Sequence, residues 1–335
     1  MRGLPILTIK SVLKNSEAFR ASAKWNNLFV GSALMSVEAI KNKNIIRDTI
    51  ISGGGRTMKR ILVLTISIVL FLSLNIKDSF AQNTNSTYRE GIEYASEGRF
   101  QEAADWFKDN LRNNKSDLTS ASSLTVIKDL NEGKITDVYA KFFFTGLNFL
   151  QNGKIDEGIK ELEKAIESNP AYPKTYNVMG MVYASEGDKV RSLSYFKKAI
   201  EINSRYTEAC FNLAALYQSL AQPLEALKYY EKVISLKPDS VDARINMAVI
   251  YASLERYPEA IKCYQDVLLT DRNNPEVYYN LALAYFMSDQ LVKFKDNLIK
   301  AQELYQQRGD VEGLAKVAEY MDKIKVIESR LKQAK

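Results

Sequence analysis

The chain has 335 residues, of which 46% are hydrophobic and 26% charged, with two cysteines and no histidine. The absence of histidine excludes a Ser-His-Asp triad, a Cys-His pair and an imidazole metal site. The formal net charge is +6 over the whole chain, but from residue 82 onward 34 Lys and Arg stand against 36 Asp and Glu. The charge therefore indicates no basic surface for nucleic acid.

Residues 1–57 precede a segment that begins with its own methionine, Met58, and has the layout of a complete export signal. The codons of Gly53, Gly54 and Gly55 can contain a bacterial ribosome-binding site at a suitable distance from the Met58 codon. We therefore expect translation to start at Met58, so that residues 1–57 are untranslated upstream sequence. The alternative is a genuine cytoplasmic, disordered extension.

Residues 58–81 have the layout of a secretory signal peptide. Met58-Lys59-Arg60 provides a basic start, Ile61 to Leu74 is an uncharged apolar core, and Ser79-Phe80-Ala81 provides small residues for cleavage. The core is shorter than the roughly 20 residues of a membrane span. We expect export and cleavage after Ala81, into the periplasm or the cell envelope. An uncleaved anchor in the inner membrane is the alternative.

Two predicted segments follow before the regular part of the chain. Residues 84–117 show helical spacing around Gly91 and Tyr94 and predict a first helix pair. Residues 118–138 form an insertion whose apolar residues, at Leu124, Val126 and Ile127 among others, predict one additional helix.

Residues 139–308 repeat at a fixed interval, and a period of about 34 residues predicts a solenoid. We number each repeat from its first residue; the repeats start at Tyr139, Pro173, Thr207, Val241 and Pro275. The eighth position is always small: Gly146, Gly180, Ala214, Ala248 and Ala282. The eleventh position is tyrosine in four repeats: Tyr183, Tyr217, Tyr251 and Tyr285. Each repeat therefore predicts two antiparallel helices in close contact, and Pro170 and Pro238 force the turn between repeats.

This pattern of a large residue, a small residue, Tyr, Ala, an aromatic residue, Ala and Pro resembles the tetratricopeptide repeat family. The resemblance covers about residues 84–305, with residues 84–117 as a divergent unit. It implies an all-α fold, a right-handed superhelical solenoid of antiparallel helix pairs. Residues 309–335 have apolar residues at helical spacing, including Leu314, Val317 and Met321, and predict a C-terminal capping helix. A dimerising coiled coil is the alternative.

In this family the first helix of each pair lines a concave groove, which implies where a partner binds. Asn recurs at the sixth position, in Asn212, Asn246 and Asn280. A ladder of side-chain amides can hold the backbone of an extended peptide, and it resembles the asparagine ladder of O-GlcNAc transferase repeats. A purely structural role for these asparagines is the alternative. The predicted apolar groove residues are Phe143, Leu147, Met181, Phe211, Ile245, Tyr279 and Leu283.

The sequence therefore predicts a non-enzymatic scaffold, without cofactor or metal, that binds a protein or peptide partner in the envelope and does not bind nucleic acid. Membrane association is predicted only if Ile61 to Leu74 stays uncleaved. Two alternatives remain: an accessory subunit of a secretion, pilus or polysaccharide-export apparatus, and the regulatory subunit of a separate enzyme. Cys210 and Cys263 are predicted to be free thiols, although a disulfide would be possible in an oxidising compartment.

Overall fold

A computed structural model describes residues 86–333 except Ser116, so residues 1–57 and the predicted signal segment 58–81 lie outside the described residues. The described residues form α-helices and no β-strand. The helices are α1 (Ser86–Ser96), α2 (Phe100–Asn113), α3 (Leu118–Asn131), α4 (Asp137–Gln151), α5 (Ile155–Ser168), α6 (Pro173–Ser185), α7 (Lys189–Ile202), α8 (Thr207–Ser219), α9 (Pro223–Leu236), α10 (Val241–Ser253), α11 (Tyr257–Thr270), α12 (Pro275–Met287), α13 (Leu291–Arg308) and α14 (Val311–Gln333). Within this part of the chain, no helix combines the length and apolar character that a membrane crossing requires.

The described helices belong to two compact units, an N-terminal unit that ends at Leu216 and a C-terminal unit that starts at Tyr217. In the N-terminal unit α1 packs against α2 and α4, α4 against α5, and α6 against α7. In the C-terminal unit α10 packs against α11, α11 also against α12, and α12 against α13. Consecutive helices thus pack in pairs, which confirms the predicted all-α repeat solenoid.

The helices begin where the sequence satisfies their free backbone N–H groups. Asp188, Ser240 and Asn274 each accept a hydrogen bond from the backbone N–H three residues later, at 2.9, 3.4 and 3.1 Å. Pro residues open α6, α9 and α12, where a missing N–H costs nothing. Pro170 and Pro238 lie exposed in the turns that precede α6 and α10.

The turn inside each pair has the same backbone conformation in every repeat. Five residues at the fifteenth position have positive φ angles between 54° and 80°: Gly153, Gly187, Ala221, Glu255 and Asp289. The left-handed region is comfortable for glycine and strained for residues with a Cβ. The three later repeats therefore have the same turn although a residue with a Cβ stands where the earlier repeats have glycine.

The small eighth position lets the two helices of a pair approach closely. A Cβ on Gly180 would lie 2.6 Å from Cδ1 of Phe196, and the Ser192 hydroxyl donates to the Gly180 carbonyl at 2.8 Å. In the other repeats Ala248 and Ala282 are fully buried. The eleventh-position tyrosines are buried too: Tyr183, Tyr217, Tyr251 and Tyr285. These residues belong to the framework and leave other positions for binding.

The last helix, α14, packs against α12 and α13. Val317 is fully buried, and the Tyr320 ring meets the Phe294 ring edge to face with centroids 6.2 Å apart. The close approach of α13 and α14 needs Gly313, because a Cβ there would lie 2.2 Å from the Tyr305 ring. α14 thus covers the last helix pair in the manner of a cap.

Candidate functional site

One face of the first helix in each repeat carries the candidate site. In α10 the half-buried or exposed residues Asp242, Ile245 and Val249 follow at spacings of three and four, whereas Ala243 and Met247 between them are buried. Spacings of three and four place side chains on one face of a helix. We call the second, fifth and ninth repeat positions of α4, α6, α8, α10 and α12 the groove stripe.

The stripe of the C-terminal unit is open. Ile245, Val249 and Leu283 are half-buried, and the sixth-position residues Asn246 and Asn280 beside them are half-buried too. Among the described residues, neither of these two amides has a hydrogen-bond partner. The half-buried apolar residues and the two amides thus lie on α10 and α12, the first helices of two consecutive repeats. Helix α11 connects these two helices and packs against each of them.

Tyr279, the fifth-position residue of α12, is partly covered from within the unit. Its ring centroid lies 6.1 Å from that of Tyr320 in α14, and the two rings are close to perpendicular. Burial raises the pKa of the Tyr279 hydroxyl well above its usual range. Tyr279 therefore marks the place where the cap limits the stripe.

Asn212 has a different environment in the N-terminal unit. Its side-chain nitrogen donates to the side-chain oxygen of Asn177 at 2.9 Å, and Asn177 is 6% exposed. The prediction placed Asn212 in an open ladder with Asn246 and Asn280. In the structure its amide instead joins α6 to α8, because the fifth position of one repeat lies against the sixth position of the next.

The apolar residues that were predicted to line the groove of the N-terminal unit differ in how exposed they are. Phe143 is 2% exposed and stacks on Tyr139 with centroids 5.9 Å apart, so it belongs to the core and not to an open groove. Leu147 is half-buried and packs against the same core, and Phe211 in α8 is half-buried. Met181 is the most open of these residues, at 44% exposure.

The second repeat position was missed in the sequence analysis. It is acidic and exposed in three later repeats, at Glu208, Asp242 and Glu276. In α6 the same position holds Lys174, which is 8% exposed. An alignment of the repeats shows that α6 has a basic residue where the later repeats have an acidic one. The alignment does not show the contact of Lys174 with Ser122 of α3.

Lys174 is a buried cation held by neutral oxygens. Its Nζ donates to the Ser122 carbonyl at 2.9 Å and to the Ser122 hydroxyl at 3.0 Å. Burial lowers the pKa of Lys174 from 10.5 to about 8, although Glu208 and Asp129 favour its charged form. Close by, the Tyr172 hydroxyl donates to the Asp129 carboxylate at 2.6 Å. These contacts tie α3 to the start of α6.

Few side chains of the described region suggest reaction chemistry. Cys210 is buried and Cys263 half-buried, and neither forms a disulfide. Burial raises the pKa of Cys263 to about 11, which disfavours a reactive thiolate. Across residues 86–333 no three Cys, Asp or Glu side chains are grouped as metal ligands.

Comparison with protein families agrees with this geometry. Two tetratricopeptide repeat models match the chain, one over residues 145–206 and the other over residues 220–284. The chain carries tetratricopeptide repeats over these two stretches. Such repeat proteins are generally non-catalytic, and the fold suggests a scaffold for protein–protein interaction. No curated protein sequence matches the chain.

Solved structures of tetratricopeptide repeat proteins resemble it. MamA from Desulfovibrio magneticus RS-1, residues 41 to the end, is 19% identical with a TM-score of 0.48, over 53% of this chain and 99% of that one. YrrB, a TPR protein with an unusual peptide-binding site, is 18% identical with a TM-score of 0.47, over 59% of this chain and 99% of that one. At this level of identity the likeness concerns the fold alone.

Proposed function

We propose that this protein is a non-enzymatic scaffold that holds an extended segment of a partner protein on the groove stripe of its C-terminal unit. Asn246 and Asn280 hydrogen-bond the backbone of the segment, while Ile245, Val249 and Leu283 contact its side chains. The observation that carries the proposal is the pair of half-buried, unpartnered amides at the same position of two repeats.

The chemistry of these groups favours an extended chain. An asparagine amide offers two donors and one acceptor, which matches the N–H and C=O groups that an extended backbone leaves free. The apolar residues alongside gain from removal of water, at roughly 25 cal/mol for each Å² that a ligand covers. Backbone bonds of this kind give affinity with little dependence on the ligand's side chains, so we expect a partner class broader than one sequence motif.

Photo-cross-linking in the producing organism tests the proposal. A photoreactive amino acid at position 249 should cross-link a partner, and the same amino acid at position 262, which is exposed on α11, should not. Asn246→Ala/Asn280→Ala should abolish the cross-link from position 249. The matched control, Asn273→Ala/Asn297→Ala, removes two amides of the same unit that belong neither to the stripe nor to the sixth positions beside it, and should retain the cross-link. Equal cross-linking by both double variants would reject the role of the amides.

We propose further that the protein acts in the bacterial cell envelope. The support is the basic start, apolar core and small-residue site in residues 58–81. N-terminal sequencing of protein tagged at its native locus tests this. A start at Gln82 supports export with cleavage, a start at Met58 in the membrane fraction supports an anchor, and a start at Met1 in the cytoplasm contradicts export.

A further inference from the structure

The inserted helix α3 packs mainly against α2 and to a lesser extent against α4 and α1, and its polar side chains reach the start of α6. Its residues Val126 and Ile127 are 0% and 2% exposed and share a core cluster with Phe143. Ser122 accepts both hydrogen bonds from Lys174, and Asp129 accepts the bond from the Tyr172 hydroxyl. α3 therefore contacts the framework through an apolar centre and two polar ends.

The position of α3 coincides with the part of the groove stripe that is closed. At the second position, Ala140 in α4 and Lys174 in α6 are 0% and 8% exposed. The same position is exposed in α8, α10 and α12. Of the five repeats, only these two have the second position buried, and at Lys174 the burial comes with the two hydrogen bonds to Ser122 of α3.

The contact between α3 and the framework has unusual chemistry for a permanent core. Ser120 and Ser123 are buried on α3, where the Ser120 hydroxyl accepts a hydrogen bond from the Asn110 side-chain nitrogen of α2 at 2.9 Å. The Lys174 ammonium is removed from water and bonded to the two Ser122 oxygens, while the carboxylates of Glu208 and Asp129 act on it only from a longer distance. A buried cation without a paired anion opposes the packing that buries it. Ser122 itself is exposed, so water can replace Lys174 when the contact breaks. Burial of its apolar side chains stabilises the packed position of α3, and burial of the Lys174 charge destabilises that position.

We propose that α3 is an intramolecular occupant of the groove stripe, and that the stripe at α4 and α6 becomes available to a ligand only when α3 leaves. Departure exposes Ala140, Phe143 and Lys174 while the helix pairs beneath remain folded. The proposal rests on the proposed function in one respect only, that the stripe is the surface on which ligands bind. The departure of α3 can be measured without any ligand.

Hydrogen exchange of the full chain at pH 7, followed by mass spectrometry, tests the departure. Peptides from α3 should exchange at least about tenfold faster than peptides from α4 and α5, because a segment that opens locally loses protection before the core does. Lys174→Met removes the buried charge and should slow α3 exchange on the order of tenfold. Lys128→Met, on the exposed side of α3 with a side chain 72% exposed, should leave the rate unchanged.

A thiol reporter provides a second measurement. In the Cys210→Ala/Cys263→Ala background, Ala140→Cys places a thiol at the buried second position of α4. Its reaction with iodoacetamide should be slower when Lys174→Met is added than in the same background with Lys174. Val126→Ala should accelerate both α3 exchange and labelling without changing exchange in α7. If α3 exchanges at the rate of α4 in all variants, α3 opens only on global unfolding and the proposal is wrong. Such a result would leave ligand binding in the C-terminal unit unaffected, and loss of cross-linking from position 249 would leave this inference unaffected.

Discussion

The Asn212 side-chain amide donates to the side-chain oxygen of Asn177 at 2.9 Å, and this bond joins two neighbouring repeats of the N-terminal unit. Asn177 is 6% exposed, so its oxygen has little access to water as a substitute. An asparagine at the sixth repeat position is therefore structural in this unit and available in the other. The two roles can be separated by stability measurements.

We expect Asn212→Ala to lower the free energy of unfolding by about 1 to 2 kcal/mol, because it leaves a buried acceptor unsatisfied. Asn280→Ala, at a half-buried position without a hydrogen-bond partner among the described residues, should change it by less than about 0.5 kcal/mol. Urea unfolding monitored by circular dichroism measures both. Equal losses in the two variants would show that Asn280 also serves the framework.

The strained turns predict a stabilising substitution. Glu255 has φ of 60° where an earlier repeat has Gly187 at 80°. Glu255→Gly should raise the free energy of unfolding by about 0.5 to 1 kcal/mol, since a side chain in this region costs about 1 to 2 kcal/mol. The control is Glu186→Gly, at φ of −78°, which should be neutral or destabilising. A gain in both variants would mean that removal of the charge, and not relief of strain, is responsible.

Close helix packing predicts a destabilising substitution at the eighth position. Gly180→Ala places a Cβ 2.6 Å from the Phe196 ring, and overpacking of this kind costs about 1 to 3 kcal/mol. The intrinsic preference of Ala for helices returns up to about 1 kcal/mol. Thermal unfolding should therefore show a net loss. In the Gly180→Ala/Phe196→Leu double variant, the loss of stability should be smaller than the sum of the losses in the two single variants. A loss equal to that sum would rule out the clash.

The buried amine predicts that α3 is held more tightly as the pH rises. Burial lowers the pKa of Lys174 to about 8 from 10.5. The charged form opposes docking at all pH values below 8, and this opposition is relieved as the pH rises from 8 toward 10.5. Trypsin cleavage after Lys128, corrected with a peptide substrate, should therefore slow by roughly tenfold between pH 7.5 and 9. Lys174→Met should remove the pH dependence.

Other titratable groups that face Lys174 do not reverse this prediction. Asp129 of α3 and Glu208 of α8 are carboxylates whose charge favours protonated Lys174. Burial raises the pKa of the Tyr172 hydroxyl well above its usual range, so Tyr172 stays neutral up to pH 9. Slower cleavage with rising pH in Lys174→Met as well would show that another group governs the docking of α3.

Much of the architecture could be predicted because repeats carry the same local information many times. The fixed period, the small residue at Gly180 and the buried Tyr183 each report a contact inside one helix pair, and such contacts depend on spacing along a single helix. The placement of Phe143 could not be predicted in this way. Phe143 stacks on Tyr139 within a core cluster that includes Val126 and Ile127 of α3, and α3 interrupts the period.

The sequence by itself determined the helices, their pairing and the positions that face away from each pair, because these follow from helical periodicity and from the size of residues such as Gly180. Only the tertiary structure decided which of those positions stay open. Asn177 contacts Asn212 of the next repeat, and Lys174 contacts Ser122 of the inserted helix α3. Burial at these sites therefore depends on residues that are far apart in the chain. Contacts between elements without a fixed spacing leave no period in the sequence, and they decide which positions of the groove stripe stay open.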